Sequence, residues 1–284
     1  MSFKILKKDS RTQARTGLLA TRAGKIKTPC FIPDATLATV KYLSSQEVAD
    51  CGLQIVLANL YHLWLRPGSP VIAKMGGLHQ FMNWSKPIIT DSGGFQVYSL
   101  IHKSTLGGRI TEKGAIFKSH LSGKKMLLTP ENSIKMQYQM GSDILLTLDE
   151  SVPGTAPKKY FRKSVPLTIR WAKRSKKEFL RLGEPRNRLL FGIVQGGIFK
   201  DLLIESAKRT VEIGFDGYAL GGVAVGLEST KLHQVMGYSV SRLPKNKPRY
   251  MLGIGYPREI IRAVSEGIDM FDCVIHQVLL SSHQ

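Results

Sequence analysis

A TIM-like (β/α)8 barrel of the α/β class is the fold this sequence predicts, and three observations predict it. Short apolar runs alternate with helix signals along most of the chain, and the runs number close to eight. Five polar or glycine-rich stretches recur at intervals of about one βα unit. They are Thr90-Asp91-Ser92-Gly93-Gly94-Phe95-Gln96, Leu148-Asp149-Glu150, Gly192-Ile193-Val194-Gln195-Gly196-Gly197, Leu220-Gly221-Gly222-Val223-Ala224-Val225-Gly226 and Gly267-Ile268-Asp269-Met270-Phe271-Asp272-Cys273-Val274. Most of them follow an apolar run or contain one. In a parallel barrel that position gathers a site, because the carboxyl ends of successive strands converge on one pocket.

The elements follow in chain order. Ser44-x-x-Glu47 is a capping box, in which the serine oxygen accepts an amide hydrogen at the start of a helix. The apolar segment 54–60 comes next, and 87–90 is the following strand. Thr129-Pro130-Glu131 starts a helix with proline at its first position, and the helix stops at Gly141. Residues 144–148 form a strand, and Pro166 opens a basic helix that ends near Gly183. The segment 189–194, rich in Leu, Ile and Val, returns as a strand. A helix over about 200–213 stops at Gly214. Segments 218–221 and 249–254 read as short strands, 257–266 as a helix closed by Gly267, and 270–275 as the last strand. No internal repeat is evident.

Composition bounds the class. At 284 residues and 43% hydrophobic, the chain supports one large domain over 1–284, and no Pro-, Gly- or Ser-rich stretch marks a linker. No apolar run approaches the roughly 18–20 residues of a membrane span, and Met1-Ser2-Phe3-Lys4 opens no signal-peptide pattern, so a cytoplasmic location is expected. Cys30, Cys51 and Cys273 form no Cys-x-x-Cys pair, which points to free thiols rather than a disulfide framework or a zinc site. Forty-one Lys and Arg against twenty-one Asp and Glu give a net charge of +20, which favours a polyanionic partner such as nucleic acid. The excess clusters over 158–181, with a second basic stretch from Lys103 to Lys125. A solvated helix face explains the first cluster alone; the two together favour a binding surface.

Each motif also has a plain reading. Asp91-Ser92-Gly93-Gly94 is good turn chemistry, and glycine pairs permit positive φ. Asp149-Glu150 suits a cap, and Asp272 suits a structural ion pair. Yet buried carboxylates are costly unless hydrogen-bonded or functional, and Gln195 is a neutral donor and acceptor suited to the edge of a base. The phosphate-loop, His-Glu-x-x-His and Gly-x-Ser-x-Gly signatures are missing, which argues against NTPase, zinc-protease and hydrolase chemistry. Three carboxylates, a glutamine and a glycine platform beside a polyanion suit glycosidic chemistry at a nucleoside. One carboxylate attacks the anomeric carbon, a second moves a proton, and a third reads the base.

These motifs, with Ala38-Thr39-Val40-Lys41 and Tyr61-His62-Leu63-Trp64-Leu65-Arg66-Pro67-Gly68, resemble the bacterial tRNA-guanine transglycosylases (queuine tRNA-ribosyltransferases) over roughly residues 10–275. The resemblance implies a pentosyltransferase with no cofactor in its chemistry. It exchanges guanine at the anticodon wobble position of tRNA for a 7-deazaguanine precursor of queuosine, through a covalent enzyme-ribose intermediate. It implies Asp272 as nucleophile and Asp91 as general acid and base. Ser92, Gln96, Asp149, Gln195, Gly221, Gly222 and the backbone of Val223 would bind the base, and Phe95 would stack on it opposite Leu252. The partners implied are the tRNA anticodon loop, the base itself and, as in many relatives, a second copy of the chain.

The sequence departs from the family pattern twice. Leu227 intervenes before Glu228, where the family places a glutamate, which leaves the identity of the incoming base open. After Val274 the family continues with Pro-Thr-Arg, a zinc subdomain and the last barrel helix, whereas this chain reads Ile275-His276-Gln277-Val278-Leu279-Leu280-Ser281-Ser282-His283-Gln284. The sequence therefore predicts a barrel truncated at its C-terminus, without its last helix and its structural zinc ligands, and a frameshift or truncation of the gene. An inactive tRNA-binding remnant or a non-catalytic partner subunit is the alternative function.

Overall fold

The computed structural model describes residues 2–102, 104, 106–153, 156–183, 188–222 and 229–274. The chain opens with an antiparallel sheet of β1 (Phe3–Lys8), β2 (Arg15–Thr21) and β3 (Gly24–Thr28). The strand that follows is broken at Pro33 into β4 (Cys30–Ile32) and β5 (Asp34–Ala35). Then come α1 (Ser45–Asp50), β6 (Val56–Ala58), α2 (Leu60–Leu65), α3 (Ser69–Lys74), α4 (Leu78–Phe81), β7 (Ile88–Thr90) and α5 (Gly94–His102). A second antiparallel sheet of β8 (Gly108–Ile110), β9 (Ala115–Lys118) and β10 (Lys125–Leu128) is inserted before α6 (Pro130–Gln139). Strand and helix then alternate through β11 (Ile144–Leu146), α7 (Lys158–Arg181), β12 (Leu189–Val194), α8 (Lys200–Ile213) and β13 (Gly217–Leu220). The last are α9 (Ser229–Val240), β14 (Arg249–Met251), α10 (Pro257–Ser265) and β15 (Met270–Asp272).

The main sheet is parallel and runs β4-β15-β14-β13-β12-β11-β7-β6-β5. Its two ends are the two halves of one interrupted strand: β4 pairs with β15, and β5 pairs with β6. The ring of eight strands therefore closes on itself, as the predicted barrel requires. The expected loss of the final helix concerns residues past Val274, outside those described.

Alternation along the strands separates two cores. Leu189, Phe191 and Ile193 of β12 point into the barrel with Ile32, Leu57, Ile89, Leu146, Ala219, Tyr250 and Met270, while Leu190 and Val194 face the helices. Phe3, Leu19 and Ile26 belong to the inner cluster, so the first antiparallel sheet plugs the amino-terminal end of the barrel. There Asp269, fully buried, receives Nε and Nη2 of Arg15 at 2.9 and 2.6 Å and the amide of Arg249 at 2.7 Å. With both partners buried and hydrogen-bonded, the pair fastens β2 to the base of the barrel.

Several local expectations match closely. Ser44 Oγ accepts from the Glu47 amide while Glu47 Oε2 accepts from the Ser44 amide, the full capping box. The strand at 189–194 and the helix at 200–213 have the expected bounds. The basic helix does not: it begins at Lys158, and Pro166 lies inside it. Buried Phe161, Ser164 and Val165 ahead of the proline hold the first turns in place, so packing overrides the local preference of proline for a helix start.

That helix is also less of an open cationic face than its composition suggests. Lys158, Arg170, Arg174 and Arg181 pair with Asp201, Glu112, Glu131 and Glu178 at 2.6–2.8 Å. Lys176 Nζ donates to the carbonyls of Ile213 and Gly214 at the end of α8. Such exposed pairs add little to stability, and their main effect is to direct charge toward neighbouring elements rather than solvent.

Candidate active site

The carboxyl ends of the strands carry a polar layer whose origin is strand periodicity. In seven of the eight strands the residue two positions beyond an inward side chain lines a single cleft: Ile32 leads to Asp34, Leu57 to Asn59, Ile89 to Asp91, Ile193 to Gln195, Ala219 to Gly221, Tyr250 to Leu252 and Met270 to Asp272. In the remaining strand Leu146 is followed by an irregular turn that delivers Asp149. The cleft has a volume of about 310 Å³, in the range of small-molecule sites.

Ten of the eleven predicted site residues line this one cleft: Asp91, Ser92, Phe95, Gln96, Asp149, Gln195, Gly221, Gly222, Leu252 and Asp272. Val223 lies outside the described residues, as do Glu228, His276 and His283. Sequence reading missed Asp34, Asn59 and Tyr250. The first two were findable by extending the inward period of Ile32 and Leu57 by one more step; Tyr250 carries no local signal and matters only through its neighbour.

The carboxyls sit in distinct settings. Asp91 Oδ1 accepts from the amides of Leu60 and Gly93 at 2.8 and 3.2 Å, and Asn59 Nδ2 donates to its Oδ2. Burial pushes Asp91 up to about 7; the Leu60 amide opposes that shift and the nearby Asp34 carboxyl adds to it. Asp272 Oδ1 accepts from the Tyr250 hydroxyl at 2.6 Å and the Gly253 amide at 3.1 Å. Burial lifts Asp272 to about 6 against the lowering by the Tyr250 hydroxyl. Asp149 accepts from Gln195 Nε2 at 2.5 Å and Ser92 Oγ at 3.4 Å, and burial takes it to about 6. Glu150, displaced to about 7 by burial and then by Asp149, does not line the cleft, and its backbone amide donates to Thr168 Oγ1 at 3.1 Å.

Two glycines make the layer possible. A side chain on Gly94, at the start of α5, would meet Asp149 Oδ1 at 2.7 Å. Gly222 has φ +72°, and a Cβ there would collide with Gln195 Oε1. Gln195 Oε1 is buried and has no hydrogen-bond partner, an acceptor held at the cleft wall. At the mouth, Phe95 is 47% exposed and lies beside the Tyr98 ring at 6.4 Å between centroids.

A model of the family described as queuine tRNA-ribosyltransferase matches residues 9–280 of the chain. The chain belongs to that family. The queuine tRNA-ribosyltransferase of Caldanaerobacter subterraneus subsp. tengcongensis is 47% identical over 275 residues, 97% of this chain and 72% of the relative. That of Solidesulfovibrio magneticus is 49% identical over 262 residues, 92% and 69% of the two chains, and that of Streptococcus pneumoniae 47% identical over 275 residues, 97% and 70%. The chain thus spans about seven tenths of the length of these relatives.

Queuine tRNA-ribosyltransferases are pentosyltransferases, and the cleft has the carboxyl groups that glycosidic chemistry calls for. Among the described residues no group of three His, Cys, Asp or Glu is placed to hold a metal. Cys30 is buried in the barrel, Cys51 is exposed after α1 and Cys273 follows β15. No described helix is long and apolar enough to cross a membrane.

Proposed function

We propose that the cleft exchanges guanine at the wobble position of a tRNA anticodon for a 7-deazaguanine base, with Asp272 as nucleophile. The observation that carries this reading is the division of the ring. Asp149, Gln195, Gly221 and Leu252 occupy neighbouring strand ends, while Asp272 and Asp91 flank the opposite half. A purine fits the first half, edge-on to Asp149, Gln195 and Ser92 and stacked between Phe95 and Leu252. Its ribose then falls over the second.

The Asp272 carboxylate attacks C1′ of the ribose, a C1′–O bond forms as the bond to the purine breaks, and the electron pair leaves with the base. Asp91, which holds its proton to about pH 7, gives that proton to the departing purine. Positive charge developing on the sugar is met by the carboxylate itself. In the return step the incoming base attacks C1′, its proton passes to Asp91, and Asp272 leaves as carboxylate. Extruding a base from a single-stranded loop costs little, so the anticodon loop is a suitable substrate.

The test is exchange of radiolabelled guanine into tRNA, together with a denaturing gel of protein incubated with tRNA. The reading requires incorporation and a covalent protein–RNA band, both lost in Asp272→Asn. Salt-sensitive binding without either would mark a tRNA-binding remnant instead.

A further inference from the structure

One carboxyl of the polar layer has no part in the exchange just described. Asp34 lies at the start of β5, directly after the Pro33 break, and is 6% exposed. Its strand stands between β15, where Ile32 is in register with Asp272, and β6, where Asp34 is in register with Leu57. Asp34 is the inward step after Ile32, and it lines the cleft beside Asn59 and Asp272. Its carboxyl acts electrostatically on Asp91, on Asp272 and on Tyr250, so it sits among the nucleophile, the acid and the tyrosine. Thr36 Oγ1 donates to its Oδ1 at 2.9 Å.

We propose that Asp34 accepts a hydrogen bond from the ribose 2′-hydroxyl of the nucleotide under exchange, which makes it a substrate-binding residue that selects ribose over deoxyribose. The inference rests on the reading of the cleft given above. With the purine over Asp149, Gln195 and Gly221, and C1′ at Asp272, the sugar must lie across the strand ends of β15, β5 and β6. The atom bonded to C1′ that carries a hydroxyl is C2′, and Asp34 is the acceptor at that place. Hydrogen bonds to this hydroxyl strengthen as the sugar takes on oxocarbenium character, so the contact serves the transition state as well as binding. Other polar groups near these strand ends are engaged with the two reacting carboxyls: Asn59 and Gln96 with Asp91, Tyr250 with Asp272, and Asp91 itself with two amides.

The experiment compares two RNA hairpins of identical sequence, one with guanosine and one with 2′-deoxyguanosine at the exchanged position. For each protein kcat/KM for labelled-guanine exchange is measured on both, and the ratio cancels any difference in the amount of folded enzyme. The wild type should prefer the ribose hairpin by roughly 10- to 100-fold, the range for a hydrogen bond to a charged group. In Asp34→Val the ratio should fall to near one through loss on the ribose substrate alone. Should Asp34→Val fail to accumulate, Asp34→Asn, a weaker neutral acceptor, should lower the ratio at least threefold. An unchanged ratio in the variant that folds, or no preference in the wild type, overturns the proposal. If the wild type exchanges no guanine at all, base exchange fails on its own; the ratio of dissociation constants for the two hairpins then decides the role of Asp34 by the same criterion.

Discussion

Asp269 and Asp272 stand three residues apart on one strand and serve opposite ends of the barrel. Asp269 enters β15 at its amino-terminal end, fully buried against Arg15, whereas Asp272 leaves it in the cleft under the hydroxyl of Tyr250. One carboxylate is neutralised by a guanidinium and holds the fold together. The other has only neutral donors and keeps its charge available for chemistry.

The first prediction concerns that available charge. Asp272→Asn should lower guanine exchange by roughly a thousandfold or more, the scale seen when a nucleophile is removed. Single-turnover kinetics with tRNA check it, and the covalent band should vanish with the same substitution.

The pH dependence follows from the two displaced carboxyls. In the proposed exchange Asp272 has to be ionised, which needs a pH above about 6, and Asp91 has to carry its proton, which needs a pH below about 7. The profile of kcat/KM should be a narrow bell with limbs near those values, reported as apparent values of the coupled site. Replacing Asp34 by Asn removes a negative neighbour of Asp91, so the alkaline limb should move to lower pH.

Stability has the opposite demand. In the unfolded chain the site carboxyls lose their protons near pH 4, whereas in the folded protein Asp149 keeps its proton to about pH 6. The folded state therefore binds more protons between those values, and stability falls as pH rises through that window. Asp149→Asn keeps the acceptor for Gln195 and removes the charge, so at pH 8 it should be about 1–2 kcal/mol more stable than the parent, with the difference gone at pH 4. Urea melts at the two pH values check this.

At the other end of the barrel, Arg15→Met leaves Asp269 buried without the guanidinium bonded to it, with the Arg249 amide still donating. A loss of about 3–5 kcal/mol is expected, as for other broken buried pairs. The double variant Arg15→Met, Asp269→Asn should recover part of that loss, which a double-mutant cycle on denaturation midpoints measures.

Base recognition gives the last prediction. Gly94→Ala places a methyl 2.7 Å from Asp149 Oδ1 without touching Asp272. The KM for guanine should rise by roughly tenfold or more while the rate of covalent attack on tRNA changes much less, a split expected when only the base pocket is disturbed.

What the chain determines by itself is local. Hydroxyl caps, proline starts and glycine stops act within one turn, which is why the capping box at Ser44, the strand at 189–194 and the helix over 200–213 were legible residue by residue. The polar stretches after apolar runs likewise announce Asp91, Gln195 and Asp272 as strand-end groups. Other features were decided only in three dimensions. Pro166 is absorbed into a long helix because packing outweighs a local preference, and the amino-terminal sheet, whose short strands mix Lys with apolar residues, acquires its role by plugging the barrel. Asp34 and Asn59 join the site, and Arg15 finds Asp269 from 254 residues away, because a closed parallel ring aligns the inward period of every strand. That alignment is a property of register between strands, and no stretch of chain contains it.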